Sequence, residues 1–157
     1  MAVTIYGRHY TIPAVITNPG AVTNLVVHAA ATKPFVVIKC SIEPAQAALV
    51  TEAGVVTRLV RKTAAGTYTS IAATTFLNHD PTDSDAALTA GHTATAEGTD
   101  GDFISRGWNS KQGLEWLPTP EEYVVIPAGV ANGFALKSNV APPAGIYAFN
   151  ITVVELG

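Results

Sequence analysis

The sequence predicts an all-β fold, either a sandwich or a barrel, in a single domain. Threonine and valine are abundant, and their β-branched side chains suit the pleated surface of a strand. Turn residues, chiefly Gly, Pro, Asn and Asp, recur at short spacing and separate many short apolar runs. The length of 157 residues fits one domain with a sizeable core.

Ten strands are predicted, each bounded by turn signals. Their expected ranges are 25–29, 35–42, 55–62, 67–76, 90–96, 103–109, 113–117, 122–126, 133–138 and 145–156. Residues 1–20 are interpreted as an N-terminal arm or first strand, and residues 21–157 as the β-sandwich domain. Two segments are less regular. Residues 44–53 are compatible with a short helix that starts at Pro44 and ends before Gly54. Residues 78–102 are expected to form a long crossover with one weak strand.

Alternation of side chains gives the expected faces of the strands, since neighbouring residues point to opposite sides. In 35–42 one face is predicted to carry Val36, Ile38, Cys40 and Ile42, with Lys39 and Ser41 on the other. In 67–76 the predicted shared face carries Tyr68, Ala72 and Phe76.

The last strand, 145–156, is apolar on both faces over most of its length. Tyr147, Phe149, Ile151 and Val153 share one face, while Ile146, Ala148, Val154 and Leu156 lie on the other. A strand with one wet face should alternate apolar and polar residues. The pattern therefore predicts that both faces are covered, either by a second layer of the chain or by a neighbouring subunit. Tyr147, Phe149, Ile151 and Val153 are the candidate subunit-interface residues.

Charged residues are scarce, which argues against nucleic-acid binding and favours contacts between subunits. Charged residues make up 13% of the chain, against about 25% in an average globular protein. Few ions lose water when such a surface is covered, so broad subunit contacts are favoured. The net charge is −3, and only Arg58, Arg61 and Lys62 cluster, which argues against nucleic-acid binding. No run of 18 apolar residues predicts a membrane span.

The sequence contains no arrangement typical of catalysis or of a cofactor site. His9, His28, His79 and His92 do not have the spacing of metal ligands, and Cys40 is expected to be a buried core residue. The aspartates of 78–85 are expected in a solvated loop, with cation binding as the alternative reading. We predict that the protein is not an enzyme and has no cofactor.

The C-terminal half resembles a known family of viral proteins. The resemblance spans roughly residues 65–157 and lies in the segments 107–109 (GWN), 112–122 (QGLEWLPTPEE), 124–129 (VVIPAG), 134–137 (FALK), 141–143 (APP) and the closing strand that ends at 153–155 (VVE). Together these segments resemble the head decoration, or cement, proteins of tailed bacteriophages with a jelly-roll, tumour-necrosis-factor-like fold.

The resemblance implies a jelly-roll β-sandwich that forms a homotrimer. It implies a location on the outer surface of a phage capsid, after synthesis in the cytoplasm of the bacterial host. The partner would be the major capsid protein, whose neighbouring subunits the trimer would hold together. The alternative is a carbohydrate-binding or host-adhesion jelly-roll module of a virion, because aromatic residues that could form a sugar platform are concentrated in the last third: Trp108, Trp116, Tyr123, Phe134, Tyr147 and Phe149.

Overall fold

In the computed structural model, which describes residues 6–46 and 51–157, two antiparallel sheets face each other. Each sheet has six strands. The strands are β1 (Arg8–Thr17), β2 (Thr23–His28), β3 (Phe35–Pro44), β4 (Gly54–Ala64), β5 (Thr67–Ile71), β6 (Leu77–Asn78), β7 (Thr89–Ala96), β8 (Thr99–Asn109), β9 (Leu114–Trp116), β10 (Val124–Ile126), β11 (Gly133–Ser138) and β12 (Ile146–Glu155). Short 3₁₀ turns occupy Ala73–Thr75 and Pro120–Glu122.

The connections between the strands are those of a jelly roll. Sheet A has the order β10-β3-β12-β1-β6, with β9 also paired to β3, and sheet B has the order β5-β7-β2-β11-β4-β8. Strand pairs are nested along the chain, since β4 pairs with β8, β3 with β9 and β10, β2 with β11, and β1 with β12. This is one long hairpin rolled into two sheets, which is the jelly-roll arrangement. The predicted all-β sandwich is confirmed.

Strand β1 is an integral part of sheet A. It pairs with β12 over ten residues, from Arg8 opposite Glu155 to Thr17 opposite Ile146. Its alternate residues Tyr10, Ile12, Ala14 and Ile16 are buried in the core. Pro13 is tolerated because β6 pairs only with Tyr10 and Thr11, so beyond them β1 is an open edge where a missing N–H costs no ladder bond.

A β-bulge in β3 overturns the predicted alternation of that strand. Thr152 of β12 faces Lys39 while Val153 faces Val37, so Ile38 is the extra residue without a partner. A bulge of one residue exchanges the two faces of a strand beyond it. The core side therefore carries Phe35, Val37, Cys40 and Ile42, and Ile38 lines the outer surface of sheet A. The prediction that Val36 and Ile38 share a face with Cys40 and Ile42 was wrong.

Three other predicted segments differ in the structure. The range 67–76 is not one strand, because β5 ends at Ile71 and a 3₁₀ turn follows at Ala73–Thr75. The range 78–102 includes β7, which lies inside sheet B between β5 and β2, and the first residues of β8. The possible helix at 44–53 has its middle, 47–50, outside the described residues, and Pro44 itself ends β3.

Candidate assembly surface

The four predicted interface residues lie in the core of the single chain. Tyr147, Phe149, Ile151 and Val153 have no exposed surface and pack between the two sheets. The Tyr147 ring meets Trp108 edge-on at a centroid distance of 5.9 Å, and its hydroxyl donates a 3.0 Å hydrogen bond to the Pro143 carbonyl. These side chains cannot contact a neighbouring subunit while the chain keeps this fold, so the subunit-interface assignment is corrected to a core assignment.

The opposite face of β12 is the one that reaches the surface. Ile146, Ala148 and Asn150 are partly exposed on the outer side of sheet A. Across the ladder they face Thr17, Val15 and Pro13 of β1. The centre of this outer face is an open groove with a volume of about 470 Å³. Within the described residues no second layer fills that groove.

Uncharged polar groups form the floor of the groove. The Thr11 hydroxyl lies 2.9 Å from the Thr152 hydroxyl and 2.9 Å from Nε2 of His79. The Asn150 amide donates a 3.3 Å hydrogen bond to the Ser41 hydroxyl. Lys39 also lines the groove, and its positive charge is neutralised because its Nζ lies 2.8 Å from the Glu115 carboxylate. The hydrogen bond and charge of Glu115 raise the pKa of Lys39, so the ammonium group of Lys39 stays charged at neutral pH.

Large apolar side chains are also exposed on the outer face of sheet A. Val15, Leu77, Leu117 and Val125 are 67%, 61%, 70% and 48% exposed. Leu117 and Tyr123 line one side of the groove, and His79 lines the other. The outer face of sheet A is therefore low in net charge and rich in apolar surface that costs little to desolvate.

The outer face of sheet B carries an ion-pair cluster. Lys62 has a fully buried side chain, and its ammonium group donates hydrogen bonds to the Glu97 carboxylate at 3.1 Å, to the Glu97 carbonyl at 2.9 Å and to Asp100. Lys137 pairs with the same carboxylates at 3.4 and 2.6 Å. Thr23 donates to Glu97 from both its backbone N–H and its hydroxyl at 2.6 Å. The cluster fixes the turn between β7 and β8 over this sheet.

The pKa values in the cluster follow from these contacts. Burial of Glu97 would raise its pKa, but the hydrogen bonds from Thr23 and Lys62 outweigh burial and lower it. Burial would also raise the pKa of Asp100, and the hydrogen bonds from Lys137 and Lys62 lower it instead. Both carboxylates are thus held in the charged form.

The remaining candidate chemical residues are dispersed. Among the described residues, no three His, Cys, Asp or Glu side chains converge as a metal site would require. Burial raises the pKa of the Cys40 thiol and lowers that of His28, which reduces the reactivity of the thiol and keeps the imidazole neutral. In the aspartate loop, Asp80 accepts hydrogen bonds from the Thr82 N–H and hydroxyl, which lower its pKa. In the described parts of the chain, no helix is long and apolar enough to cross a membrane.

These features define a jelly-roll protein whose most distinctive surface is one open, low-charge sheet face. No protein-family model, curated protein or solved structure matches the chain. The sequence predicted β12 and gave residues 1–20 as an N-terminal arm or first strand, but it did not predict that this segment pairs with β12. The signal was present, since Tyr10, Ile12, Ala14 and Ile16 alternate with smaller and more polar residues.

Proposed function

We propose that this chain is a structural capsid decoration protein. It would trimerise on the outer surface of a tailed-phage head and stabilise contacts between major capsid subunits, without catalysis. The observation that carries the proposal is the outer face of sheet A, which exposes Val15, Leu77, Leu117 and Val125 and contains a groove that the described chain leaves open.

In the proposed trimer, neighbouring subunits contact each other through the outer face of sheet A. Each subunit offers a groove and apolar side chains around it, so contacts between different patches can close a ring of identical subunits. Low charge keeps the desolvation cost small, because Lys39 and Glu115 already neutralise each other on this face. The assignment to a phage head rests on the resemblance of residues 65–157 to decoration proteins. Many trimers on one particle, each with several contacts, gain avidity from a modest contact per chain.

Light scattering tests the trimer and its surface. At micromolar concentration we expect about three times the chain mass of 16.3 kDa. Val15→Glu should dissociate the trimer, since it places a charge on the outer face of sheet A. Val56→Glu is the matched control, because Val56 is 46% exposed on the opposite sheet and pairs with Gly107 of β8. A folded monomer in the wild type, or equal dissociation by both variants, would contradict the proposed surface.

Capsid experiments test the function itself. Heads assembled without the protein should form but rupture at a lower temperature or under osmotic shock. Adding back the purified protein should restore resistance, while Val15→Glu protein should restore less because it lacks the avidity of a trimer. Heads of equal strength with and without the protein would refute the reinforcing role.

A second candidate function is saccharide binding in the same groove. The observation that favours it is the floor of hydroxyl and amide groups from Thr11, Thr152, Ser41 and Asn150 beside the Tyr123 side chain. Saccharide sites combine such polar groups with aromatic surface. A glycan array separates the two functions: binding that Tyr123→Ala abolishes supports adhesion, and absence of binding by intact trimers supports reinforcement alone.

A further inference from the structure

Strand β8 is the longest open edge of the two sheets in the part of the chain that the structure describes. Sheet A ends on one side in β6 with two residues, beyond which β1 is an open edge that contains Pro13, and on the other side in β9 and β10 with three residues each. Sheet B ends in β5 with five residues, and at its other end in β8 with eleven. Short edge strands limit unwanted pairing, because an exposed edge offers free N–H and C=O groups to any extended chain. β8 does not have this protection.

The side chains of β8 also favour a partner. Phe103 and Ile104 are 49% and 43% exposed, and a small cavity of about 190 Å³ opens beside them between the two sheets. A β-bulge interrupts the pairing with β4 between Val60 and Lys62, so the regular part of the edge is 103–109. It contains no proline and no lysine, the residues that commonly block edge pairing.

Unpaired cations are concentrated at this edge. The chain has nine Lys and Arg residues, all within the described ranges. Six of them form salt bridges: Arg8, Lys33, Lys39, Lys62, Lys111 and Lys137. The other three are Arg58 and Arg61 on β4 and Arg106 on β8. The Arg58 guanidinium lies over the Phe103 ring at 4.2 Å, and Arg61 lines the cavity beside Phe103.

We infer that the β8 edge accepts an extended acidic segment of a partner protein, which adds to sheet B as a further antiparallel or parallel strand. Backbone hydrogen bonds would supply affinity, and alternate carboxylates would meet the guanidinium groups of Arg61 and Arg106, which lie on the same side of sheet B as Leu59. In the described residues the three arginines outnumber Asp102, the one carboxylate of β8 that forms no salt bridge, since Asp100 pairs with Lys62 and Lys137. Two copies of this positive edge repel each other, so charge favours an acidic partner over a second copy of the chain.

This inference goes beyond the proposed trimer and does not depend on it. The trimer is proposed to use the outer face of sheet A, whereas strand addition uses the backbone of β8 at the edge of sheet B. The two can be tested separately, since Val15→Glu changes the first surface and Arg106→Glu the second.

The test is a titration of the full chain with a blocked seven-residue peptide of alternating valine and glutamate, followed by NMR chemical shifts and amide exchange. We expect shifts and new protection confined to 103–107, and weaker binding for Arg106→Glu by about tenfold, as expected for loss of about one charge-assisted bond. Lys111→Glu, which makes the same change of charge in the turn after β8, should bind normally. A peptide with lysine in place of glutamate should not bind.

N-methylation shows whether the peptide binds as a strand. Methyl groups on alternate peptide nitrogens along one edge should abolish binding, while methylation along the other edge should be tolerated, because only one edge of an added strand faces β8. Equal binding of the acidic and basic peptides, or equal tolerance of both methylation patterns, would overturn the inference. Concentration-dependent protection of 103–107 without peptide would also overturn it, since it would show pairing with a second copy.

Discussion

Replacing Lys62 by methionine should destabilise the fold more than any other change of a lysine. The Lys62 side chain has no exposed surface. Its ammonium group pairs with the carboxylates of Glu97 and Asp100 and also donates a hydrogen bond to the Glu97 carbonyl. Removing one member of a buried ion pair costs about 3–5 kcal/mol. Glu97 and Asp100 stay 31% and 28% exposed and keep Lys137, so water and this second lysine compensate in part. We therefore expect about 3 kcal/mol, the low end of that range.

Urea unfolding at a fixed protein concentration measures this difference. Lys111→Met is the control, because Lys111 and its partner Glu52 are 38% and 61% exposed at 3.5 Å, and an exposed pair contributes about 0–1 kcal/mol. A Lys62→Met variant that loses no more stability than Lys111→Met would refute the argument that the buried cluster stabilises sheet B.

The same difference should depend on pH. The pKa values of Glu97 and Asp100 are lowered in the folded state, so their stabilising contribution is present above their unfolded pKa values of about 4 and is lost as the pH falls through the folded values. The gap between wild type and Lys62→Met should therefore shrink in acid. A gap that is as large at roughly pH 2 as at pH 7 would show that packing, and not charge, is its source.

Three further outcomes follow from the core and the turns. Phe149→Ala should lower the stability by about 3–5 kcal/mol at every protein concentration, since Phe149 is fully buried within one chain, while Thr99→Ala on exposed β8 should change it little. Cys40 should react with a thiol reagent only at the rate of unfolding, which mass spectrometry can follow; rapid labelling of the native protein would contradict its burial. Gly98→Ala should destabilise more than Gly54→Ala in thermal unfolding, because Gly98 has φ +68° and its added Cβ would meet the Ala64 carbonyl, whereas Gly54 has open space.

Some features depended on short-range patterns and were therefore predictable. The strand at 133–138 coincides with β11, and 145–156 differs from β12 by one residue at each end. Turn residues next to apolar runs limit strands locally, and neither signal needs knowledge of the partner strand. Burial of Cys40 was also predictable, since it lies in an apolar run.

The functional surface needed the tertiary structure. The sequence showed that β12 is apolar on both faces but could not assign Tyr147 to the core and Ala148 to the surface, because that choice depends on pairing with β1 more than a hundred residues away. The resemblance to decoration proteins suggested an assembly role but did not identify the exposed face. The groove exists only where β1, β12 and β3 lie side by side.

The sequence by itself determined that this chain forms an all-β sandwich or barrel, because period-two alternation and turn residues are properties of neighbouring positions. It did not determine the faces of β3, since the bulge at Ile38 is a mismatch between two strands. In the sequence, Arg58, Arg61 and Lys62 look like one basic cluster. The sequence did not show that Lys62 is buried between carboxylates while Arg58 and Arg61 lie near the β8 edge. Only the tertiary structure decided the faces of β3 and the environments of these three basic residues, because burial and charge pairing depend on residues that are distant in sequence and adjacent in space.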